Sequence, residues 1–562
     1  MEIVPNRSAA KTLVESFCQW EQAQPDKIYL RQPVGTEYID YTWAEVGQQA
    51  RRLATYLNAQ GLPPKSNIGL ISKNCAHWLI ADIAIMLSGH VSVPFYPTLT
   101  ADQLHQVLDH SGCRVLIVGK IDNWEAMKPG VPANVTGVAF PDYRPNGSAP
   151  DPDYAQWDDI MAQCAPQTTN STPADDDLYT IIYTSGTTGN PKGVMIDYGA
   201  MRQAIGHTRT EMRHDLTDAR FFSYLPLCHV AERNIVEAVG LATGGTVYFT
   251  ESLDTFARNL ATARPTHFLA VPRIWTKLQQ GILAKMPAEK LDKLLKIPLL
   301  RQIVKRKIRQ GLGLNDAKVI ITGAAPMPTS LIQWFRRLDI HIQEAYGMTE
   351  NLGAVSIMPP NGVKDGTVGK IYDSVTVRLD PQTGELLTRC PWLMRGYYRE
   401  PALTEAVLKN GWLATGDVAE LDANGYVRIT GRVKEMYKSP KGEYIAPSQI
   451  EFGFADNAYI EQICVGGQQL PQPIALVVLS EIGRRAERQI VDSSLEQMLG
   501  QVNPRLHGYE HVRKVVVVKD AWTVENNRMT PTMKIKRNII ESWYEPQMEP
   551  WFGRAETVIW EE

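Results

Sequence analysis

The sequence predicts an α/β fold, with a large amino-terminal part of parallel or mixed sheets layered with helices and a smaller α+β part at the carboxyl end. Short apolar strand runs alternate with amphipathic helices along the first half of the chain, which is typical of parallel sheets. The pattern changes past a boundary near Gly431, and the remainder has an ordinary domain size. The length of 562 residues exceeds one compact domain, which favours roughly two to four folding units.

The alternation is clearest near the amino terminus. From Thr42 to Leu57, apolar residues recur at helical spacing and predict an amphipathic helix. Further strands are predicted at 67–71, 91–94 and 115–118, and further helices at 81–87 and 101–110. The apolar region from Leu79 to Tyr96 is interrupted by polar residues, so we expect a buried helix and a strand rather than a membrane span. Residues 141–173 are rich in Pro, Asp, Asn and Ser and predict a surface excursion.

The most informative segment is the run from Tyr183 to Val194, Tyr-Thr-Ser-Gly-Thr-Thr-Gly-Asn-Pro-Lys-Gly-Val. Its glycines let backbone N–H groups approach an anion, its hydroxyls add donors, and Lys192 adds a mobile positive charge. A Walker A loop is excluded because Pro191 stands where its second glycine is required and Gly193 follows the lysine. Apolar strand signals flank the run on both sides, so we predict a strand–loop–strand phosphate cradle, with a helix only from about Tyr198.

Farther along, strands are predicted at 246–249 and 318–321, followed in the last part by 463–465, 474–479 and 512–518. Residues 290–310 form a basic helical stretch that we expect to break at Pro298. A solvated helix face is its ordinary interpretation. Contact with an acidic membrane surface or with the phosphates of coenzyme A is the alternative.

Composition limits the classes of partner. The formal net charge of −3 provides no global attraction for nucleic acid or for an acidic membrane. Seven scattered cysteines, none in C-x-x-C spacing, predict reduced thiols and no zinc site. The amino terminus lacks the apolar core of a signal peptide, so we expect a cytoplasmic protein, with peripheral membrane association left open. Oligomeric state is not predicted.

Five further motifs follow the cradle in the chain. They are Leu225–Arg233 (Leu-Pro-Leu-Cys-His-Val-Ala-Glu-Arg), Gly323–Pro326, Tyr346–Glu350 (Tyr-Gly-Met-Thr-Glu), Gly411–Asp417 with Gly431–Lys434, and Met529–Arg537. Together and in this order they resemble the adenylate-forming superfamily, which includes acyl-CoA synthetases, adenylation domains of peptide synthetases and beetle luciferases. The resemblance covers nearly the whole chain, and chance matches would not keep the same order.

The resemblance implies two domains. An amino-terminal domain of residues 1–431 would bind AMP and the acyl group, and it would include a distorted barrel beside the layered sheets. Residues 432–434 would form a hinge with Lys434 as the hinge residue. Residues 435–562 would form a small mobile domain.

The resemblance also implies how ATP is bound. Tyr346 and Gly347 would lie against adenine opposite Gly323–Pro326, Asp417 would accept from the ribose hydroxyls, and Arg432 would contact ribose or phosphate. Thr349 would donate to the α-phosphate, and Glu350 would hold Mg²⁺. The residues expected to grip the phosphates are Thr184, Ser185, Gly186, Thr187, Thr188, Gly189 and Lys192, and those expected at adenine are Gly323, Ala324, Ala325 and Pro326.

Two more residues carry expected catalytic roles. Lys534 aligns with the catalytic lysine of the mobile domain, although Met533 replaces the glycine that often precedes it and Lys536 is a nearby rival. His229 would lie near the reacting carboxyl group. Gly442 would let the pantetheine arm of coenzyme A pass close to the backbone.

The implied function is activation of a fatty acid with ATP and transfer of the acyl group to coenzyme A. The Leu225–Arg233 motif, the stretch Arg264–Trp275 and the run Lys441–Pro447 resemble the long-chain branch. Alternatives are an acyl-AMP ligase that loads a carrier-protein phosphopantetheine, a ligase for aryl or medium-chain acids, and a catalytically silent nucleotide-binding protein. Acyl chain length is not predicted.

Overall fold

A computed structural model describes residues 10–185, 191–211, 218–440, 442–524, 526–530 and 534–562. Its strands form two large sheets, one smaller antiparallel sheet, a two-stranded ribbon and a four-stranded sheet near the carboxyl end. The expected α/β organisation with a smaller α+β part is confirmed.

The first large sheet has eight strands and carries the predicted phosphate cradle. All strands from Leu178–Ser185 outward to Ala155–Gln156 run parallel, while Pro191–Asp197 and Gly396–Tyr397 pair antiparallel at the other edge. The spatial order is Gly396–Tyr397, Pro191–Asp197, Leu178–Ser185, Val91–Phe95, Asn67–Ile71, Val115–Val118, Thr136–Ala139 and Ala155–Gln156.

The second large sheet has nine strands, and its six central strands are parallel. Antiparallel strands close both edges. The spatial order is Lys370–Ile371, Ser356–Ile357, Gln343–Tyr346, Val319–Thr322, His267–Leu269, Arg220–Ser223, Thr246–Phe249, Ile28–Val34 and Glu37–Thr42.

The smaller antiparallel sheet follows an open strand order among the described residues, so the expected distorted barrel is not seen there as a closed barrel. Its five strands are Thr376–Leu379, Glu385–Arg389, Leu408–Lys409, Trp412–Leu421 and Val427–Arg432. Trp412–Leu421 is its centre, because that strand pairs with three of the others.

The α+β pattern predicted for the last part of the chain is confirmed. The ribbon consists of Tyr437–Lys438 and Tyr444–Ile445. The four-stranded sheet follows the order Ile460–Gly466, Ile474–Leu479, Lys514–Val517 and Val558–Trp560, and its helices are Pro447–Gly453, Glu481–Arg485, Arg488–Val502 and Arg537–Phe552.

One apolar core joins the two large sheets through the helix Ala76–Ser88, which contacts strands of both and buries every residue from Ala76 to Leu87. The predicted amphipathic helix is Trp43–Asn58, where Thr42 and Glu45 form a capping box. The other helices before residue 435 are Leu13–Ala23, Ala101–Ser111, Trp124–Met127, Trp157–Gln163, Tyr198–Glu211, Val230–Glu232, Val239–Thr243, Phe256–Ala263, Pro272–Lys285, Ala288–Lys296, Pro298–Gly311, Thr329–Arg336 and Pro401–Val407. Within the described ranges, none of the helices is long and apolar enough to cross a membrane.

The predicted surface excursion at 141–173 is wrong in its central part. The strand Ala155–Gln156 extends the first sheet, and the helix Trp157–Gln163 follows it. Trp157 is buried against Phe140, with ring centroids 5.3 Å apart, and against His77 at 4.9 Å. The average composition of residues 141–173 is polar and does not reveal Trp157. One buried aromatic ring is enough to pack such a segment against the core.

Candidate active site

The strands on both sides of the phosphate cradle pair as predicted. Leu178–Ser185 runs antiparallel to Pro191–Asp197, with Thr184 opposite Lys192. The helix Tyr198–Glu211 begins only after the second strand. Gly186, Thr187, Thr188 and Gly189 lie outside the described residues, as does the side chain of Ser185. The geometry therefore places the two ends of the cradle, including Lys192.

Lys192 and Glu350 meet at one aromatic side chain, Tyr397. The ammonium of Lys192 lies 5.2 Å from the centre of the Tyr397 ring, within cation–π range. The Tyr397 hydroxyl donates to Glu350 Oε1 over 2.7 Å, and Thr349 and Glu350 are buried in a short 3₁₀ turn. Burial lowers the pKa of Lys192, and the charge of Lys434 lowers it further. Lys192, expected at the phosphates, and Glu350, expected at Mg²⁺, thus both contact a single tyrosine.

Asp417 is held by two donors. The Tyr346 hydroxyl donates to Asp417 Oδ2 over 2.6 Å, and Arg432 Nε lies 2.9 Å from Oδ1. Asp417 and Arg432 are direct partners on neighbouring antiparallel strands, so the pairing register itself brings them together. The predicted adenine-stacking residue thereby orients the predicted ribose acceptor.

The predicted adenine walls end two adjacent parallel strands. Gly323–Pro326 follows Val319–Thr322, and Tyr346 ends Gln343–Tyr346, which pairs with that strand. Ligands in α/β sheets bind at this carboxyl edge. A Cβ on Gly323 would lie 2.8 Å from the carbonyl oxygen of Ala345, and one on Gly347 would lie 2.2 Å from the backbone of Gly353. Both glycines are therefore required by close backbone approach.

Lys534 stands in the same cleft. Much of its side-chain surface is open to solvent. The surrounding walls nevertheless remove part of the water around the ammonium and so lower its pKa, and the positive charge of Arg432 lowers that pKa further. The carboxylates of Asp417 and Glu350 oppose this shift, so all three groups are within electrostatic reach. The rival Lys536 instead donates to Asn527 Oδ1.

His229 faces Lys534 from the amino-terminal part of the chain. Burial lowers the pKa of His229 to about 4, and the charge of Lys534 lowers it further. Its Nδ1 accepts from the backbone N–H of Ala231 over 3.2 Å. The imidazole is therefore neutral at neutral pH, and its proton resides on Nε2.

Asn74 and Glu232 hold the segment that leads to His229. Asn74 Nδ2 donates to the Leu225 carbonyl over 2.6 Å, and the Leu227 N–H donates to Asn74 Oδ1 over 3.2 Å. Glu232 Oε1 accepts from the Tyr224 N–H over 2.9 Å. Burial raises the pKa of Glu232 to about 8, although its hydrogen bonds act in the opposite direction.

Lys434 and Gly442 occupy less enclosed positions. Lys434 is exposed just beyond the strand Val427–Arg432 and influences Lys192. Gly442 has φ +86° and open space where a Cβ would stand, in the turn that joins Tyr437–Lys438 to Tyr444–Ile445. No described contact joins Gly442 to Lys192, Glu350 or Lys534 in this arrangement.

Sequence reasoning missed Tyr397 and Asn74. Tyr397 follows Gly396 in a two-residue strand beside Pro191–Asp197, too short to carry a periodic signal. Asn74 lies 151 residues before Leu225, so only the packed fold reveals their contact.

A magnesium site built from protein ligands alone is not seen, because the described residues contain no group of three or more His, Cys, Asp or Glu side chains suited to a metal. Glu350 still fits the expected role. Mg²⁺ in nucleotide sites commonly takes one or two carboxylates together with substrate phosphates and water. The Glu350 carboxylate retains acceptor positions beside the one that Tyr397 occupies.

Comparison with known proteins gives matches over most of the chain. A family model described as AMP-binding enzyme matches residues 17–398, and one described as AMP-binding enzyme C-terminal domain matches residues 439–556. The chain is 28% identical to the long-chain-fatty-acid–CoA ligase FadD15 of Mycobacterium tuberculosis, covering 95% of this chain and 96% of that protein. It is 26% identical to fatty acyl-CoA synthetase B of Dictyostelium discoideum, covering 88% and 82%.

Solved structures share the fold. The adenylation domain of a carboxylate reductase from Mycobacterium chelonae superposes with a TM-score of 0.80 at 22% identity, covering 98% of this chain and 92% of that one. The o-succinylbenzoate CoA synthetase from Bacillus subtilis, in complex with its acyl-adenylate intermediate, has a TM-score of 0.73 at 21% identity, covering 95% and 98%.

Proposed function

Because the chain belongs to the AMP-binding enzyme family, we propose that it is an acid–thiol ligase that activates a long-chain fatty acid with ATP and passes the acyl group to coenzyme A. The observation that carries the proposal is the convergence of Lys192, Glu350, Asp417 and Lys534 on one cleft. The names of the curated relatives and the Leu225–Arg233 motif support a fatty acid as the substrate.

In the first half-reaction, an oxygen of the fatty-acid carboxylate attacks the α-phosphorus of ATP. The bond to the bridging oxygen breaks, and pyrophosphate leaves with the bonding electrons. No general base is needed, because a carboxylic acid is already ionised at neutral pH. Catalysis is therefore positioning and charge neutralisation, which we assign to Lys192 at the β- and γ-phosphates and to Lys534 and Thr349 at the α-phosphate.

Residues of the chain also hold the nucleoside. Tyr346 would stack on adenine while its hydroxyl keeps Asp417 aimed at the ribose hydroxyls, and Arg432 completes that side of the cleft. When bound at Glu350, Mg²⁺ would neutralise phosphate charge. The neutral His229 would donate from Nε2 toward the reacting carboxyl group.

In the second half-reaction, the thiolate sulfur of coenzyme A attacks the acyl carbon and AMP leaves with the bonding electrons. Lys534 has no task in this step. We propose that residues 435–562 rotate about Lys434, withdraw Lys534 and bring Gly442 to the thiol path, where its open surroundings leave room for a pantetheine arm. The domain boundaries at 431 and 435 are part of this proposal.

The proposal is tested by measuring AMP release and thioester formation with saturated acids of graded length. Free coenzyme A, a phosphopantetheinyl carrier protein, or neither is supplied as acceptor. We expect long-chain acids to react in a coenzyme A-dependent manner. Reaction of aryl or short acids alone would refute the fatty-acid assignment, and acyl transfer to the carrier alone would favour the acyl-AMP ligase alternative.

A further inference from the structure

The helices Ala288–Lys296 and Pro298–Gly311 form a pair joined by the single residue Ile297. Each is anchored by one apolar face, since Leu291 and Val304 are buried in the core cluster that contains Trp275. Their opposite faces and the joint between them point outward.

The joint presents apolar side chains to solvent. Leu299 is 84% exposed, Ile303 52%, Ile297 47% and Leu300 39%. Single exposed apolar residues are ordinary, but four within seven residues form a patch. We call these four residues the 297–303 tip.

Basic residues surround the tip on both helices. The segment 290–310 holds eight Lys or Arg residues and a single acidic residue, Asp292, which pairs with Arg337. Lys305 pairs with Asp339. The exposed basic residues of the segment are Lys290, Lys293, Lys296, Arg301, Arg306 and Lys307. The chain as a whole carries a net charge of −3, so this positive charge is a local concentration.

The spacing places charge one helical turn behind the apolar tip. Arg306 and Lys307 follow Ile303 by three and four positions, or about 4.5–6 Å along the axis. Lys293 precedes Lys296 by one turn on the other helix. Interfacial helices bury their apolar face about 5–10 Å into the headgroup boundary, and long basic side chains reach back to the headgroups.

We propose that the 297–303 tip docks on the surface of an anionic lipid bilayer. Apolar side chains enter the interface while the surrounding basic residues contact acidic headgroups. A second copy of the chain is a poorer occupant, because a symmetric contact would bring two concentrations of positive charge together. The biological role of this docking rests on the proposed function, because a long-chain acid substrate partitions into bilayers. A test of the docking itself requires no catalysis.

The test is co-sedimentation of the full chain with vesicles of phosphatidylcholine alone or mixed with phosphatidylglycerol. We expect binding to the mixed vesicles and weak binding to phosphatidylcholine. The double variant Leu299→Ser/Ile303→Ser should bind at least about tenfold more weakly. The variant Lys293→Gln/Lys296→Gln/Arg306→Gln/Lys307→Gln should lose about fivefold per charge removed.

Matched controls lie outside the tip. Leu253→Ser removes another exposed apolar side chain, and Lys409→Gln/Lys519→Gln removes charge elsewhere. Both should bind vesicles like the parent, and every variant should keep the thermal unfolding midpoint of the parent. Membrane docking would be overturned if the parent ignored mixed vesicles, or if the tip variants only raised the KM for coenzyme A. Docking would also be overturned if the parent formed a dimer that the tip variants did not form, while those variants still bound vesicles like the parent. Vesicle binding without any ligase activity would support docking and refute the proposed function instead.

Discussion

At the residue scale, the cleft is governed by opposing charges held at fixed places. Lys192, Arg432 and Lys534 supply positive charge, and Glu350 and Asp417 supply negative charge. Crowding lowers the pKa of Lys192 and of Lys534, since each ammonium loses water and faces other cations. Bound polyphosphate would relieve this repulsion, so the cleft is prepared for an anionic ligand.

The variant Lys534→Ala tests the proposed catalytic lysine. We expect acid-dependent ATP–pyrophosphate exchange to fall by about 10²–10³-fold, as for removal of a donor that stabilises developing charge. Thioester formation from supplied acyl-adenylate should stay unchanged, because the role proposed for Lys534 is confined to the first step. The matched control is Lys536→Ala, whose ammonium contacts Asn527. Equal loss of both half-reactions would refute the assignment.

The variant Tyr397→Phe tests the residue that sequence reasoning missed. It removes the donor to Glu350 while keeping the ring beside Lys192. A hydrogen bond to a charged group contributes about 2 kcal/mol, so kcat/KM for ATP should fall roughly thirtyfold. Initial rates over a range of magnesium concentration provide the measurement. Tyr398→Phe, which loses a contact with Asn67 instead, should behave like the parent; an equal effect of both variants would mean that Tyr397 does not act through Glu350.

At the element scale, the His229 segment is held by buried polar contacts rather than by regular secondary structure. The segment between the strand Arg220–Ser223 and the helix Val230–Glu232 obtains its backbone partners from Asn74 and Glu232. Buried backbone groups without such partners would be costly, so these two side chains decide where His229 stands.

The raised pKa of Glu232 predicts a pH dependence of stability. The folded chain keeps a proton that the unfolded chain releases between about pH 4.3 and the folded pKa of about 8. Stability should therefore fall as the pH rises through this window. Glu232→Gln stays neutral, so its unfolding midpoint should change less between about pH 6 and about pH 9 than that of the parent. The exposed control Glu420→Gln should keep the parental slope, and an unchanged slope in Glu232→Gln would show that Glu232 is ionised in the fold.

At the scale of the whole molecule, contacts between the amino- and carboxyl-terminal parts hold Lys534 over the cleft. Arg273, on the helix Pro272–Lys285, pairs with Glu461 on the strand Ile460–Gly466, and Ser330 donates to Asp456. These contacts would break if residues 435–562 rotated. Surface pairs of this kind contribute at most about 1 kcal/mol, which is small enough to permit exchange between arrangements.

The variant Arg273→Ala should therefore slow adenylation selectively. If the variant lowers the stability of this arrangement by up to about 1 kcal/mol, the rate of adenylation should fall by no more than roughly fivefold. Thioester formation from supplied acyl-adenylate should not slow, because the proposed rotation assigns that step to a second arrangement without this ion pair. The control Arg484→Ala also removes a partner of Glu461, at 3.5 Å, but from within residues 435–562. Equal slowing of both half-reactions by Arg273→Ala would contradict domain rotation.

The local sequence pattern alone predicted much of the secondary structure of this molecule. The strands around the cradle, the helix Trp43–Asn58 and the break at Pro298 follow from periodicity and turn chemistry, which act between neighbours in the chain. Family resemblance then named the cleft residues. The tertiary structure alone decided which of them touch. Glu350 and Tyr397 are 47 residues apart, Tyr346 and Asp417 are 71 apart, and Asn74 and Leu225 are 151 apart. Such contacts depend on how distant elements pack, and no local propensity encodes that.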